Sequence, residues 1–150
     1  MTRRAPASDT FSVLTCEAAV PFDTEKASIL GQELPLPIGR IRGIAVLGDT
    51  GCRVHDWEKK YQACNDPAAW PFAEVAQAVA DWDPDLIVHV GDYLYCESSC
   101  PYAMAGCQDN PHRDIWATWN ADFFTPAASV LGAAHGCSCV AITRPAIATL

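Results

Sequence analysis

Two short apolar runs, each closed by Gly-Asp, set the pattern of this chain. Ile41-Arg-Gly-Ile-Ala-Val-Leu-Gly48 ends in Gly48-Asp49-Thr50-Gly51, and Asp85-Leu-Ile-Val-His-Val-Gly91 ends in Gly91-Asp92. Apolar, branched and bounded by turn residues, both predict buried strands. Between them Phe72, Val75, Ala76 and Val79 recur at i, i+3, i+4 and i+7, one apolar face of a helix. Asp66-Pro67 predicts the start of that helix, an N-cap followed by proline at the first helical position. A cysteine-containing loop runs from Cys96 to about Pro111, and Ile115, Trp116, Trp119 and Phe123 then mark one side of a second helix. Residues 1–40 read as irregular, extended around Pro35 and Pro37, and residues 52–66 read as a polar loop.

Strand, helix, strand, helix predicts an α/β fold with a parallel sheet. In such sheets ligands sit outside the carboxyl ends of the strands, and Asp49 and Asp92 each fall one residue past a strand at that edge. Neighbouring strands lie roughly 4.8 Å apart. Two carboxylates at that spacing repel unless a cation sits between them, so Asp49 and Asp92 are candidate ligands of a hard metal. Either Asp alone is as well explained by a turn, where Asp bonds its own backbone. It is the pair, joined by one crossover helix, that points to metal. A dinucleotide is the rival use of this edge, but Gly48-Asp49-Thr50-Gly51 lacks the GxGxxG spacing. His89, mid-strand, reads as a core or sheet-face residue and His55 as solvated. Tyr93 and Tyr95 alternate sides, so one is placed to face the site while the other packs.

Composition narrows the picture. The chain has 150 residues, one domain's worth, with 10 Lys plus Arg against 18 Asp plus Glu and a net charge of −8. That balance disfavours a nucleic-acid grip, and the apolar runs are too short for a bilayer span. No apolar stretch follows Arg3 and Arg4, so no secretory signal is visible and the cytoplasm is the default compartment. Eight cysteines argue the other way, toward an extracytoplasmic setting. Two local loops could close, Cys52 with Cys64 and Cys100 with Cys107, although free thiols fit the sequence equally well.

With these residues in hand, the chain resembles a known family. Asp49-Thr50-Gly51 is similar to the D-x-G motif, and Gly91-Asp92-Tyr93-Leu94-Tyr95 to the G-D-x-x-Y motif, of purple acid phosphatase-like bacterial metallophosphoesterases in the calcineurin-like superfamily. The resemblance runs from about residue 41 to about residue 135. It implies the N-terminal half of a metallophosphoesterase β-sandwich flanked by helices, which hydrolyses a phosphate ester at a binuclear metal centre. The substrate would be a small-molecule or macromolecular phosphate ester. It further implies that Asp49 binds the first metal, that Asp92 bridges the pair, and that Tyr95 is a phenolate ligand on the first. A phenolate near neutrality calls for a strongly charged ion, hence iron, with a second iron, zinc or manganese beside it.

The family pattern then stops. It next requires G-N-H-[DE], V-x-x-H and G-H-x-H, and none is present; the later histidines, His112 and His135, sit in no matching motif. No catalytic residue is therefore assigned, and the chain by itself is expected to be inactive. The tail carries a further signal: no acid occurs after Asp122, and from Phe123 to Leu150 the only full charge is Arg144. Read one frame over, from the third base of each codon, Gly136 to Thr143 permits Val-Phe-Val-Arg-Gly-Asn-His, an apolar strand followed by the missing motif. The expected organisation is an irregular segment at 1–40, a partial metallophosphoesterase domain at 41–135 and an out-of-frame tail at 136–150. The alternatives are a genuine short strand in the tail, a non-catalytic binding module stapled by disulfides, and a nucleotide-binding domain.

Overall fold

The computed structural model describes residues 2–5, 8–13, 15–21, 23–34, 36, 40–133 and 137–139, the side chains of 2–5, 15–17 and 137–139 excepted. Pro35, Pro37, His135 and 140–150 lie outside the described residues, and so does most of the tail. A three-stranded parallel sheet positions the site. Its strands are β5 (Ile44–Leu47), β8 (Leu86–His89) and β9 (Cys137–Cys139), in the order β5-β8-β9. Ile44 pairs with Leu86 and Leu47 with His89 in parallel register, so both Gly-Asp turns leave the sheet at one edge. The predicted α/β class and the parallel pair of strands are therefore present.

Residues 1–40 are less irregular than expected. They contain two antiparallel hairpins, β1 (Thr2–Ala5) with β2 (Thr15–Glu17) and β3 (Ala27–Ile29) with β4 (Gln32–Leu34). The second turns through Leu30 and Gly31, both at positive φ. A third hairpin, β6 (Val54–His55) with β7 (Lys60–Tyr61), lies within the expected polar loop. Such short strands carry too few residues to show a period of two.

The first helix, α1 (Phe72–Trp82), buries Phe72 and Ala76 and half-buries Val79, while Val75 stays exposed. It starts later than Asp66-Pro67 predicted. Asp66 instead closes a turn, its Oδ1 accepting from the Ala68 N–H at 3.0 Å and its carbonyl from Trp70 N–H at 2.9 Å. Pro71 explains the delay, because a proline steers the residue before it away from the helical region. Asp83, in the left-handed conformation, ends the helix, and Pro84 follows.

The second helical stretch divides into α2 (Trp116–Trp119), a π-helical turn at Asn120–Phe124 and α3 (Ala128–Ala133). Its inner face carries the buried Phe123 and Val130, with Ile115, Trp116 and Trp119 half-buried. Ala45, Phe72, Ala76, Ile87, Phe123, Ala127 and Val130 form the main core under one face of the sheet. The opposite face differs from the expectation of strands buried on both sides: Ile44 is 50% and Val46 62% exposed. Ala45 and Leu47 alternate with them toward the helices, so β5 has a one-sided pattern. Among the described residues no second layer covers that outer face.

A second small core gathers Val54, Cys96 and Cys107. It is held by two disulfides, Cys52–Cys64 and Cys100–Cys107, the pair that the spacing allowed. Thr118, fully buried on α2, has no hydrogen-bond partner for its Oγ1 among the described residues. An unpartnered buried hydroxyl is unfavourable, so Thr118→Val is expected to raise stability by about 1 kcal/mol. A lower urea midpoint for the variant would contradict this.

Candidate metal centre

The two Gly-Asp turns are built alike and are bonded to one another. Asp49 and Asp92 both adopt the left-handed conformation, at φ 57° and 58°, which Asp tolerates better than most side chains. Asp49 N–H donates to the Gly91 carbonyl at 3.2 Å and Thr50 N–H to the Asp92 carbonyl at 3.1 Å. Gly91, at φ 112°, has a conformation open chiefly to glycine. Gly51 serves close approach instead: a Cβ there would lie 2.7 Å from the Tyr95 nitrogen and 3.0 Å from the Leu94 backbone. The D-x-G pattern thus has a steric cause, since only glycine lets the first loop lie flat against the second.

Tyr95 supplies the third oxygen. Burial first, then hydrogen bonding of its hydroxyl to Asp49 and Asp92, raises its phenol well above the ordinary tyrosine value. Asp49 and Asp92 thus both lie near the Tyr95 hydroxyl. Asp49 and Asp92 are themselves exposed, and among the described residues neither carboxylate bonds its own turn backbone. Tyr93 takes the opposite side, stacked on His89 at 3.9 Å between centroids and edge-on to Phe123 at 4.8 Å.

His89 is the core residue expected of it, 2% exposed. Gly91 N–H donates to its Nδ1 at 3.2 Å, which leaves the ring proton on Nε2 to be donated to Thr50 Oγ1, 2.9 Å away. Burial depresses the pKa of the imidazole, with Asp92 opposing, and the neutral ring ties the first loop to the second strand. His55 departs from expectation: half-buried, its Nε2 lies 3.1 Å from Glu97 and its Nδ1 accepts from Glu58 N–H.

Three contributors were not legible in the sequence. Asp122, 4% exposed, accepts from Cys52 N–H at 3.2 Å through Oδ1, and from Tyr95 and Cys96 N–H at 3.0 and 3.2 Å through Oδ2. Desolvation raises its pKa although the three amides oppose the shift. The available signal was an acid set on the inner stripe between Trp119 and Phe123. Arg53 lies over the Tyr95 ring at 4.3 Å while its Nη1 pairs with Glu58 at 2.9 Å. Trp70 donates its indole N–H to the Thr50 carbonyl at 2.9 Å. Asp49, Tyr95, Arg53, Gln62, Trp70 and Phe72 line a cleft of about 530 Å³ beside the site.

Two carboxylates and a phenol form an all-oxygen donor set, suited to a hard, highly charged cation that would replace the shared phenolic proton. Among the described residues no group of three or more His, Cys, Asp or Glu that could hold a metal ion comes together, so the candidate set is confined to two carboxylates and the phenol. Comparison of the chain with protein-family models gives no match, and comparisons with curated proteins and with solved structures give none either.

Proposed function

We propose that this chain carries one half of a metal-dependent phosphoesterase site and hydrolyses no phosphate ester by itself. The observation that carries the reading is the pair of Gly-Asp turns bonded to one another at the carboxyl edge of parallel strands, with Tyr95 near both carboxylates. Asp49, Asp92 and Tyr95 would hold the first ion, iron by the hardness of the donors, with iron, zinc or manganese beside it in the complete protein. Bound there, such ions clamp a phosphate and offset charge on its attacking and leaving oxygens.

The chain's own residues prepare that chemistry. His89 and the paired turns fix the backbones of the two loops against each other. Arg53 places a positive charge over Tyr95, at the cleft where an anionic ester would enter. Two disulfides favour an extracytoplasmic setting over the cytoplasm. No helix among the described residues is long and apolar enough to cross a membrane.

In this reading the remaining ligands belong to the alternative frame of the tail. β9 is the parallel neighbour of β8, with Cys139 level with His89. Cys137–Cys139 as written thus form a strand, as the alternative of a genuine strand in the tail expects, and in the shifted frame Gly-Asn-His would follow a strand at the same edge. The same frame extends the motif: Thr143 followed by Arg144 permits NAG, which is Glu when the first base is G. That acid is the fourth member of G-N-H-[DE].

Assay of an aryl phosphate with iron, manganese or zinc tests the reading. This chain is expected to match the metal blank. The chain rebuilt in the shifted frame from about codon 135, with the downstream gene, is expected to turn over and to lose activity on Asp92→Asn. Turnover by this chain, or a shifted frame that lacks Gly-Asn-His and soon stops, would overturn the proposal. A disulfide-stapled binding module is the second reading, favoured by the two closed bridges. Closed bridges in a chain that takes up no metal would select it.

A further inference from the structure

We infer that Asp122 is the positioning residue of this site, holding the Asp49 loop and the Asp92–Tyr95 loop in the one arrangement that brings their oxygens together. The inference rests on the metal-site reading above and adds to it a residue that touches no metal. Asp122 lies 70 residues from Cys52 and 27 from Tyr95, yet bonds the backbone of both. Its Oδ1 takes the amide of Cys52, three residues after Asp49; its Oδ2 takes the amides of Tyr95 and Cys96. Both oxygens are thus committed to the loops that carry the proposed ligands, and one of the bonded amides belongs to a ligand residue.

The carboxylate is nearly sealed from water, and a buried acid is retained only where specific partners satisfy it. Apolar neighbours surround it: Phe123 is buried beside it in sequence, and Cys52 and Cys96 are buried at the amides it binds. The π-helical turn at Asn120–Phe124 carries Asp122 on the same inner stripe as Trp119 and Phe123. Groups of this kind orient ligands without touching the ion, and their loss weakens metal affinity by about 10- to 100-fold.

Asp122→Asn is the informative change. The amide retains one acceptor oxygen but turns a donor toward either Cys52 N–H or the Tyr95 and Cys96 N–H groups. We expect ferric ion to bind the folded variant within that weakened range, and the visible phenolate-to-iron band, per bound iron at saturation, to shift or fall. Thr118→Val, another buried polar change on the same helical stretch, is expected to leave both unchanged. A folded Asp122→Asn with wild-type affinity and an unaltered band would overturn the inference.

A measurement on the unmutated chain stands apart from whether the variant folds. The amides of Cys52, Tyr95 and Cys96 are expected to exchange with deuterium more slowly than that of the exposed turn residue Trp57, and more slowly again once ferric ion is bound. Exchange as fast as Trp57, or exchange unaffected by bound iron, would overturn it. If the chain takes up no iron but these amides are protected, the metal reading fails and the positioning role fails with it, leaving Asp122 a clamp between two loops.

Discussion

Loss of the Cys52–Cys64 bridge in a Cys52→Ser and Cys64→Ser pair is expected to lower stability by about 3 kcal/mol. The bridge closes a loop across a sequence separation of 12 and pins the segment that follows Asp49-Thr50-Gly51. A cross-link of that length acts mainly by narrowing the unfolded ensemble. The margin it protects is small. Among the described residues the outer face of β5 is uncovered, and a domain of this size has a net stability of only about 5–15 kcal/mol. A loss of that size in the unfolding free energy of the double variant, and a larger one on reduction of the wild-type chain, which also opens Cys100–Cys107, is the predicted result. Equal midpoints with the bridge open and closed would show that the loop is held by other contacts.

Gly51→Ala is expected to cost about 1–3 kcal/mol and to abolish metal uptake. The added Cβ would meet main-chain atoms of Leu94 and Tyr95, at 3.0 and 2.7 Å, rather than the end of a flexible side chain. Relief requires the two loops to move apart. That movement strains the Cys52 and Tyr95 bonds to Asp122 and draws Tyr95 from Asp49. Gly132, with nothing within 4 Å of an added Cβ, is the matched control, and Gly132→Ala should leave uptake intact. Equal metal affinity in the Gly51 variant would show that the close approach has no part in the site.

The sequence carried the strand pair and its edge clearly, because each run ended in the same Gly-Asp signal and a helical period lay between. The structure sets Asp49 and Asp92 at one edge of the sheet with Tyr95 near both; Tyr95 itself followed only from the family resemblance, not from the strand pattern. The open side of β5 was not legible: an apolar run has the same letters whether one face or both are covered, and Val46 proved exposed. The start of α1 was misplaced because Asp66-Pro67 fits a turn as well as a cap, and Pro71 lies between them and the helix. The hairpins before residue 40 were missed because strands of three or four residues leave no periodic trace. Asp122 was missed for a different reason. An acid is expected on the wet side of a helix, and only the positions of distant backbone amides explain why this one is inside.

Titration of the chain with ferric ion, followed by visible absorption and by metal content after desalting, tests the central claim most directly. The account predicts a single bound iron, a phenolate-to-iron band that disappears in Tyr95→Phe, and weaker uptake in both Asp49→Asn and Asp92→Asn. An iron-free chain after desalting, or a band that persists in Tyr95→Phe, would contradict it.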